Sequence, residues 1–124
     1  MLNWSEQFSI LLFLDNNDFQ SANTVCECLL AAGLAPSGIH VEESNGGADA
    51  LASLQKLHNA THDWIFGHIC YDYKNILEPK LNSGHTPKTG FPRIHFFIPA
   101  TVCYINKEKT ALTIETFGDP ALIY

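Results

Sequence analysis

Six histidines and four cysteines carry the groups of this sequence best able to ligate a metal or act as base or nucleophile. His58 and His62 stand four residues apart, a spacing that puts two imidazoles on one helix face, and Asp63 offers a further ligand. The helical pattern ends near Asn59, so the same residues also read as the polar end of a helix. His68 and His95 fall inside apolar runs that read as strands, where a ring satisfied within the sheet is the alternative to a functional one. His85 falls in a polar stretch and reads as solvated. Cys26 and Cys28, two apart, face the same way on a strand, but a structural zinc site favours paired Cys-x-x-Cys knuckles and none exists here. Reduced, buried thiols are expected for these two and for Cys70 and Cys103. Neither Cys70 nor Cys103 is paired in sequence with a base that could activate it. Asp15 and Asp18 offer a carboxylate pair in a turn, although turn and cap roles are the commoner ones for such residues. Gly46-Gly47 is too poor in glycine for a phosphate cradle and no Lys-Ser/Thr follows. By type and spacing alone the chain is expected to hold neither a catalytic residue nor a metal site.

Composition bounds the partners. The 124 residues suit one domain, and the 46% hydrophobic content suits a folded one. Seven Lys+Arg against 13 Asp+Glu give a net charge of −6, which speaks against nucleic-acid binding through clustered bases. The apolar run Ile10 to Leu14 falls far short of the roughly 20 residues of a membrane span. The first residues lack the charged and apolar regions of a secretory leader, so the expected compartment is the cytoplasm. Charge is unevenly placed. Residues 1–55 hold seven acids and no Lys or Arg, whereas 56–124 hold six acids and all seven bases. This implies either two differently solvated faces or an acidic half that meets a basic surface.

The elements that must position these groups follow from periodicity. Ser9 to Leu14 reads as a buried strand closed by the Asp15-Asn16-Asn17-Asp18 turn. Val25 to Leu30 reads as a second strand, broken by Ala31-Ala32-Gly33, and Ile39 to Val41 as a short extended piece. Asn45-Gly46-Gly47 is a turn leading into a helix from Ala48 to Asn59. Leu51, Leu54 and His58 lie on one face of that helix, with Leu57 beside them, and the face is expected to pack on a sheet. Trp64 to Tyr71 is the strongest strand, with Trp64, Phe66 and Tyr71 as core aromatics. Gly67 within it marks a bulge or the close approach of another backbone. Tyr73 to Glu78 reads as a short helix stopped at Pro79, and Lys80 to Pro92 as a long loop. Arg93 to Ile98 is a strand, and Val102–Ile105 and Leu112–Thr116 form a hairpin around Asn106–Lys109. Pro120 suits the first position of a helix, and the end at Tyr124 one turn later suggests a fragment of a longer chain. The sum is an α+β domain, mainly antiparallel β-sheet with a few packed helices.

Four ordered motifs carry a resemblance. The run Asp63-Trp64-Ile65-Phe66-Gly67-His68-Ile69-Cys70-Tyr71-Asp72-Tyr73-Lys74-Asn75 resembles a Tyr-Asp segment of the N-terminal domain of chorismate-utilising synthases, component I. Phe13 to Asn17 resembles that family's Leu-Leu-Glu-Ser strand end, and Glu27 to Gly33 its following strand. Gly90-Phe91-Pro92-Arg93-Ile94-His95-Phe96-Phe97-Ile98-Pro99 resembles a Gly-Phe-Pro-Asp segment of the para-aminobenzoate (aminodeoxychorismate) branch. The likeness runs through most of residues 1–117.

The resemblance implies a scaffold domain of an enzyme that aminates chorismate on the way to para-aminobenzoate and folate. A glutamine amidotransferase subunit supplies the ammonia. Magnesium and chorismate are held by a C-terminal chorismate-binding domain outside this sequence, so residues 1–124 by themselves are not catalytic. In several members the N-terminal domain also binds tryptophan. Carried over by position, Leu14, Asp15 and Asn16 line that pocket. Asp15 stands for the family's glutamate and can pair with an α-ammonium, and Asn16 stands for its serine and can hydrogen-bond a carboxylate. Lys74 approximates the basic residue after Tyr-Asp, His68 replaces a tyrosine and Arg93 an aspartate. The alternatives are a free-standing amino-acid-binding regulatory module, the corresponding domain of anthranilate synthase component I, and a domain that only presents its sheet or acidic half to a protein partner.

Overall fold

The computed structural model describes residues 2–19, 21–43, 49–81 and 90–123. The chain divides into two compact units, Met1–Gly38 with Pro99–Tyr124, and Ile39–Ile98. Both are built on antiparallel sheets, with short helices beside them, so the chain is a small α+β protein. No helix among the described residues is long and apolar enough to cross a membrane.

The first unit opens with a one-turn helix, α1 (Leu2–Ser5), and holds the strands β1 (Leu11–Asp15), β2 (Cys26–Leu34), β6 (Pro99–Asn106) and β7 (Leu112–Thr116). Their order is β1-β2-β6-β7, every pair antiparallel. The core follows the two central strands: Leu30, Ala31 and Ala32 of β2, and Thr101, Val102 and Cys103 of β6. Thr101 is buried without penalty because its hydroxyl meets that of Thr116, its cross-strand partner, at 2.8 Å.

Strand β2 corrects two expectations. It does not break at Ala31-Ala32-Gly33 but runs on to Leu34. Consecutive residues are buried there, as in a strand covered on both faces, and the small alanines fit that crowding. Gly33 takes φ +67° and donates its N–H to Ile10, and the Phe8 ring lies 2.8 Å from where a Cβ would stand. Only glycine fits such a position. Nor does the two-residue spacing put Cys26 and Cys28 on one face. The register shifts between them, so that Cys26 faces Asn106 and Cys28 faces Ile105. Cross-strand partners share a face and Ile105 and Asn106 alternate, so this bulge sends the two thiols to opposite faces. All four cysteines are reduced, with Cys103 buried and the other three half-buried.

The hairpin between β6 and β7 forms as its sequence implies. The Asn106 side chain accepts the N–H groups of Thr110 and Ala111 at 2.8 and 2.9 Å, and Lys109 turns the chain at φ +58°. At the other end Asp119 caps the 3₁₀ turn Pro120–Leu122 by accepting from Ala121.

The second unit holds β3 (His40–Glu43), α2 (Ala50–Ala60), β4 (Phe66–Ile69), α3 (Lys74–Leu77) and β5 (Ile94–Phe97), with strand order β3-β5-β4. Ala50 packs with Ile94 and Tyr73, and Val41, Ile76 and Phe96 close around them, so α2 rests on the sheet. The residues it buries are Ala50 and Leu57, whereas Leu51 and His58 of the expected face are exposed and Leu54 is half-buried. The strand expected over Trp64 to Tyr71 is shorter than its composition suggests. Trp64 lies before it, 41% exposed, and Tyr71 opens the 3₁₀ turn Tyr71–Tyr73 with its ring 82% exposed. Of the three expected core aromatics only Phe66 is buried, because the turn aims Tyr73 inward in place of Tyr71. The Tyr71 ring instead carries the Lys74 ammonium 5.0 Å from its centre. Gly67 marks close approach, not a bulge, since the β4–β5 register is unbroken. A Cβ at Gly67 would stand 2.0 Å from the carbonyl oxygen of His95 and 2.6 Å from the Phe96 ring. The Asn45–Gly47 turn and His85 lie outside the described residues. So does most of the long loop before Pro92, while its first residues, Lys80 and Leu81, belong to the 3₁₀ turn Pro79–Leu81.

Candidate functional site

Strand β1 pairs with β2 on one side only, and its ladder places Leu14 opposite Leu29 and Asp15 opposite Cys28. One further hydrogen bond, from the Asn16 N–H to the carbonyl of Glu27 at 2.8 Å, holds the chain to β2 as it leaves the strand. The turn that follows is built from its own side chains. The Asp15 carboxylate accepts the Asn17 N–H at 2.8 Å, an Asx turn. The Asn16 amide donates to the Phe19 carbonyl at 2.6 Å, and the Phe19 N–H returns to the Asn16 carbonyl at 3.0 Å. Asn17 and Asp18 sit at φ +51° and +60°, the left-handed region that Asn and Asp tolerate best after glycine.

The 107–109 turn clamps this loop from across the unit. The Lys109 ammonium meets the Asp18 carboxylate and, at 3.1 Å, that of Glu27. Glu27 also accepts the Asp18 N–H at 3.3 Å, and Lys107 donates to the Ser21 carbonyl at 3.2 Å. The Lys109 hydrogen bond holds the Asp18 carboxyl below its ordinary range, and the Asp18 and Glu27 carboxylates raise the Lys109 ammonium. On the adjacent strand, burial pushes the Cys28 thiol up, with a smaller push from Asp15.

Of the residues expected to line a pocket, Leu14 and Asp15 are exposed and Asn16 is half-buried. Strand alternation separates them. Asp15 shares a face with Leu11 and Phe13, whereas Leu14 lies with Leu12 on the other. The exposed apolar neighbour of the carboxylate is therefore Phe13, which the sequence argument missed although alternation marks it. Asp15 has one oxygen committed to the Asx turn. Asn16 spends one of its two amide donors on Phe19.

The other sequence candidates are placed elsewhere. His58, Asn59, Thr61, His62 and Asp63 border a cleft of about 500 Å³ at the end of α2, with Asp63 accepting the Trp64 N–H at 2.7 Å. Leu51, Leu54, Gln55, His58, Ile65 and Phe96 line an apolar cleft of about 590 Å³ along the same helix. His68 and His95 are direct cross-strand partners. Among the described residues no group of three His, Cys, Asp or Glu is arranged to hold a metal ion, magnesium included. Comparisons with protein-family models, curated proteins and solved structures find no match to this chain.

Proposed function

We propose that this chain is the non-catalytic N-terminal domain of an aminodeoxychorismate synthase component I-like enzyme, scaffolding a C-terminal chorismate-binding domain in the cytoplasm. In this reading magnesium and chorismate belong to that second domain, a glutamine amidotransferase subunit delivers ammonia to it, and the chain itself offers tryptophan a place to bind. The observation that carries the reading is the end of β1. An edge strand with Phe13 and Leu14 exposed at 39% and 54% ends in a carboxylate and an amide held by a braced turn. Apolar surface beside a fixed anion suits an amphiphilic ammonium compound, the chemistry of an aromatic amino acid. The exposed leucines and phenylalanine of β1 are also what a covering domain would bury.

Calorimetric titration of the chain with tryptophan, and in parallel with chorismate plus magnesium, tests this. Saturable tryptophan binding that disappears in Asp15→Asn supports the pocket, and absence of heat with tryptophan removes it and leaves the scaffold role. Turnover of chorismate and ammonium by the chain alone overturns the non-catalytic reading.

A further inference from the structure

Three imidazoles cross the three-stranded sheet in a row. His68 of β4 pairs directly with His95 of β5, and their rings stand edge to face at 6.2 Å. His40 of β3 stands edge to face with His95 on its other side, at 6.4 Å. Strand alternation and register put all three on one face with Phe66 and Phe97, whereas α2 lies over the other face against Ile94 and Phe96. The central ring is the constrained one. His95 Nε2 is buried and meets no hydrogen-bond partner among the described residues. The His68 Nε2–H donates to the Pro92 carbonyl at 3.0 Å, and Phe91 lies 4.7 Å from the same ring. That carbonyl also accepts from the Cys70 thiol at 3.4 Å. The charged and titratable groups acting on His95 are Glu42 and His40 from β3 and His68 from β4. Glu42 is its direct cross-strand neighbour.

We propose that the His40–His95–His68 row is a proton-sensitive latch that keeps the three-stranded sheet closed when its rings are neutral and loosens it on acidification. A neutral His95 leaves Nε2 as a bare acceptor, which costs less than burying an unpaired charge. A protonated His95 needs an acceptor at Nε2 and finds none among the described residues, and the His68 and His40 rings on either side also act against its charge. Among the described residues Glu42 is the one charge that favours the protonated ring, and it is exposed. Burial is the largest influence on the ring and holds its pKa below the ordinary 6.5, with Glu42 pulling the other way. At His95 the folded sheet therefore binds fewer protons than the unfolded chain, so this contribution to stability is complete above the ordinary value and is lost as pH falls through the lower, folded one.

The test is a pH titration of the whole chain followed by NMR, from about pH 8 to about pH 5. Histidine ring signals and amide-exchange protection factors are read together. The expected result is a His95 ring that titrates below 6.5. Protection of β4 and β5 amides should fall by about tenfold across the range while that of β2 and β6 amides stays level. His95→Phe should flatten the β4–β5 profile. Glu42→Gln, which removes only the opposing charge, should steepen it. A wild-type His95 that titrates at or above 6.5, or equal losses of protection in both sheets, overturns the proposal without recourse to any variant.

Discussion

The ammonium of Lys109 closes on the carboxylate of Asp18, 91 residues earlier in the chain. The contact ties the turn after β1 to the turn between β6 and β7, and Glu27 completes it from β2. The acid-rich first half of the sequence thus meets part of its countercharge within the chain. Both members of the pair are largely exposed, so the pair holds the loop in place and adds little to global stability.

Because Lys109 depresses the Asp18 carboxyl, that group should titrate below its ordinary 3.8 in the native protein. The contribution is present above that value and is lost as pH falls through the lower, folded one. Carboxyl-carbon NMR checks this. In Lys109→Met the Asp18 titration should return to about its ordinary position, and amide exchange at Asn17 and Asp18 should accelerate, while exchange at Leu30 and Val102 stays slow.

Gly67 and Gly38 separate two reasons for glycine. At Gly67 an added methyl meets the His95 carbonyl at 2.0 Å, a backbone atom that cannot swing away. Gly67→Ala should cost about 3 kcal/mol, the upper part of the range for overpacking, and should lower the urea midpoint accordingly. Gly38 has φ +62° with open space around it, so Gly38→Ala meets only the left-handed strain of about 1 kcal/mol. Equal losses in the two variants would contradict the packing account of β4 and β5.

Local chemistry was legible in the sequence. The Asn106 hairpin, the Pro120 turn and the helix over Ala50–Ala60 each rest on interactions within a few residues, and each stands close to where its residues imply. Pairing over long separations was not. Nothing in the run Val-Cys-Glu-Cys-Leu-Leu tells that the register slips between Cys26 and Cys28, because a bulge is decided by the partner strand. The same limit hides the histidine row: His68 and His95 each read as strand residues, but their meeting depends on the β4–β5 register. The turn Asp15–Asp18 was legible as a turn, while its brace, Lys109, lies at the far end of the chain.

Cys103 lies at the centre of β6, 2% exposed, and burial pushes its thiol up. Cys26, Cys28 and Cys70 are half-buried. A thiol reagent at neutral pH should therefore label Cys103 last, and only on the timescale of unfolding. Mass spectrometry of alkylated peptides reads the order directly, and early labelling of Cys103 would contradict its place in the core. Cys103→Ser puts a hydroxyl where a weakly polar thiol sat and should cost about 1–3 kcal/mol.

Asp15 separates ligand binding from loop structure. Asp15→Ala removes the acceptor of the Asn17 N–H and the negative charge together, so a loss of binding in that variant has two explanations. Asp15→Asn keeps a side-chain oxygen for the Asx turn and removes only the charge. If the β1 end holds an α-ammonium group, Asp15→Asn should lose tryptophan binding by about tenfold or more with its unfolding midpoint unchanged. Phe13→Ala should weaken the same binding, because Phe13 is the apolar side chain on the face of Asp15, whereas Leu14→Ala, on the opposite face, should weaken it less. Calorimetry on the three variants tests the face assignment as well as the pocket. A larger effect at Leu14 than at Phe13 would mean that tryptophan sits on the other side of the strand, out of reach of the Asp15 carboxylate.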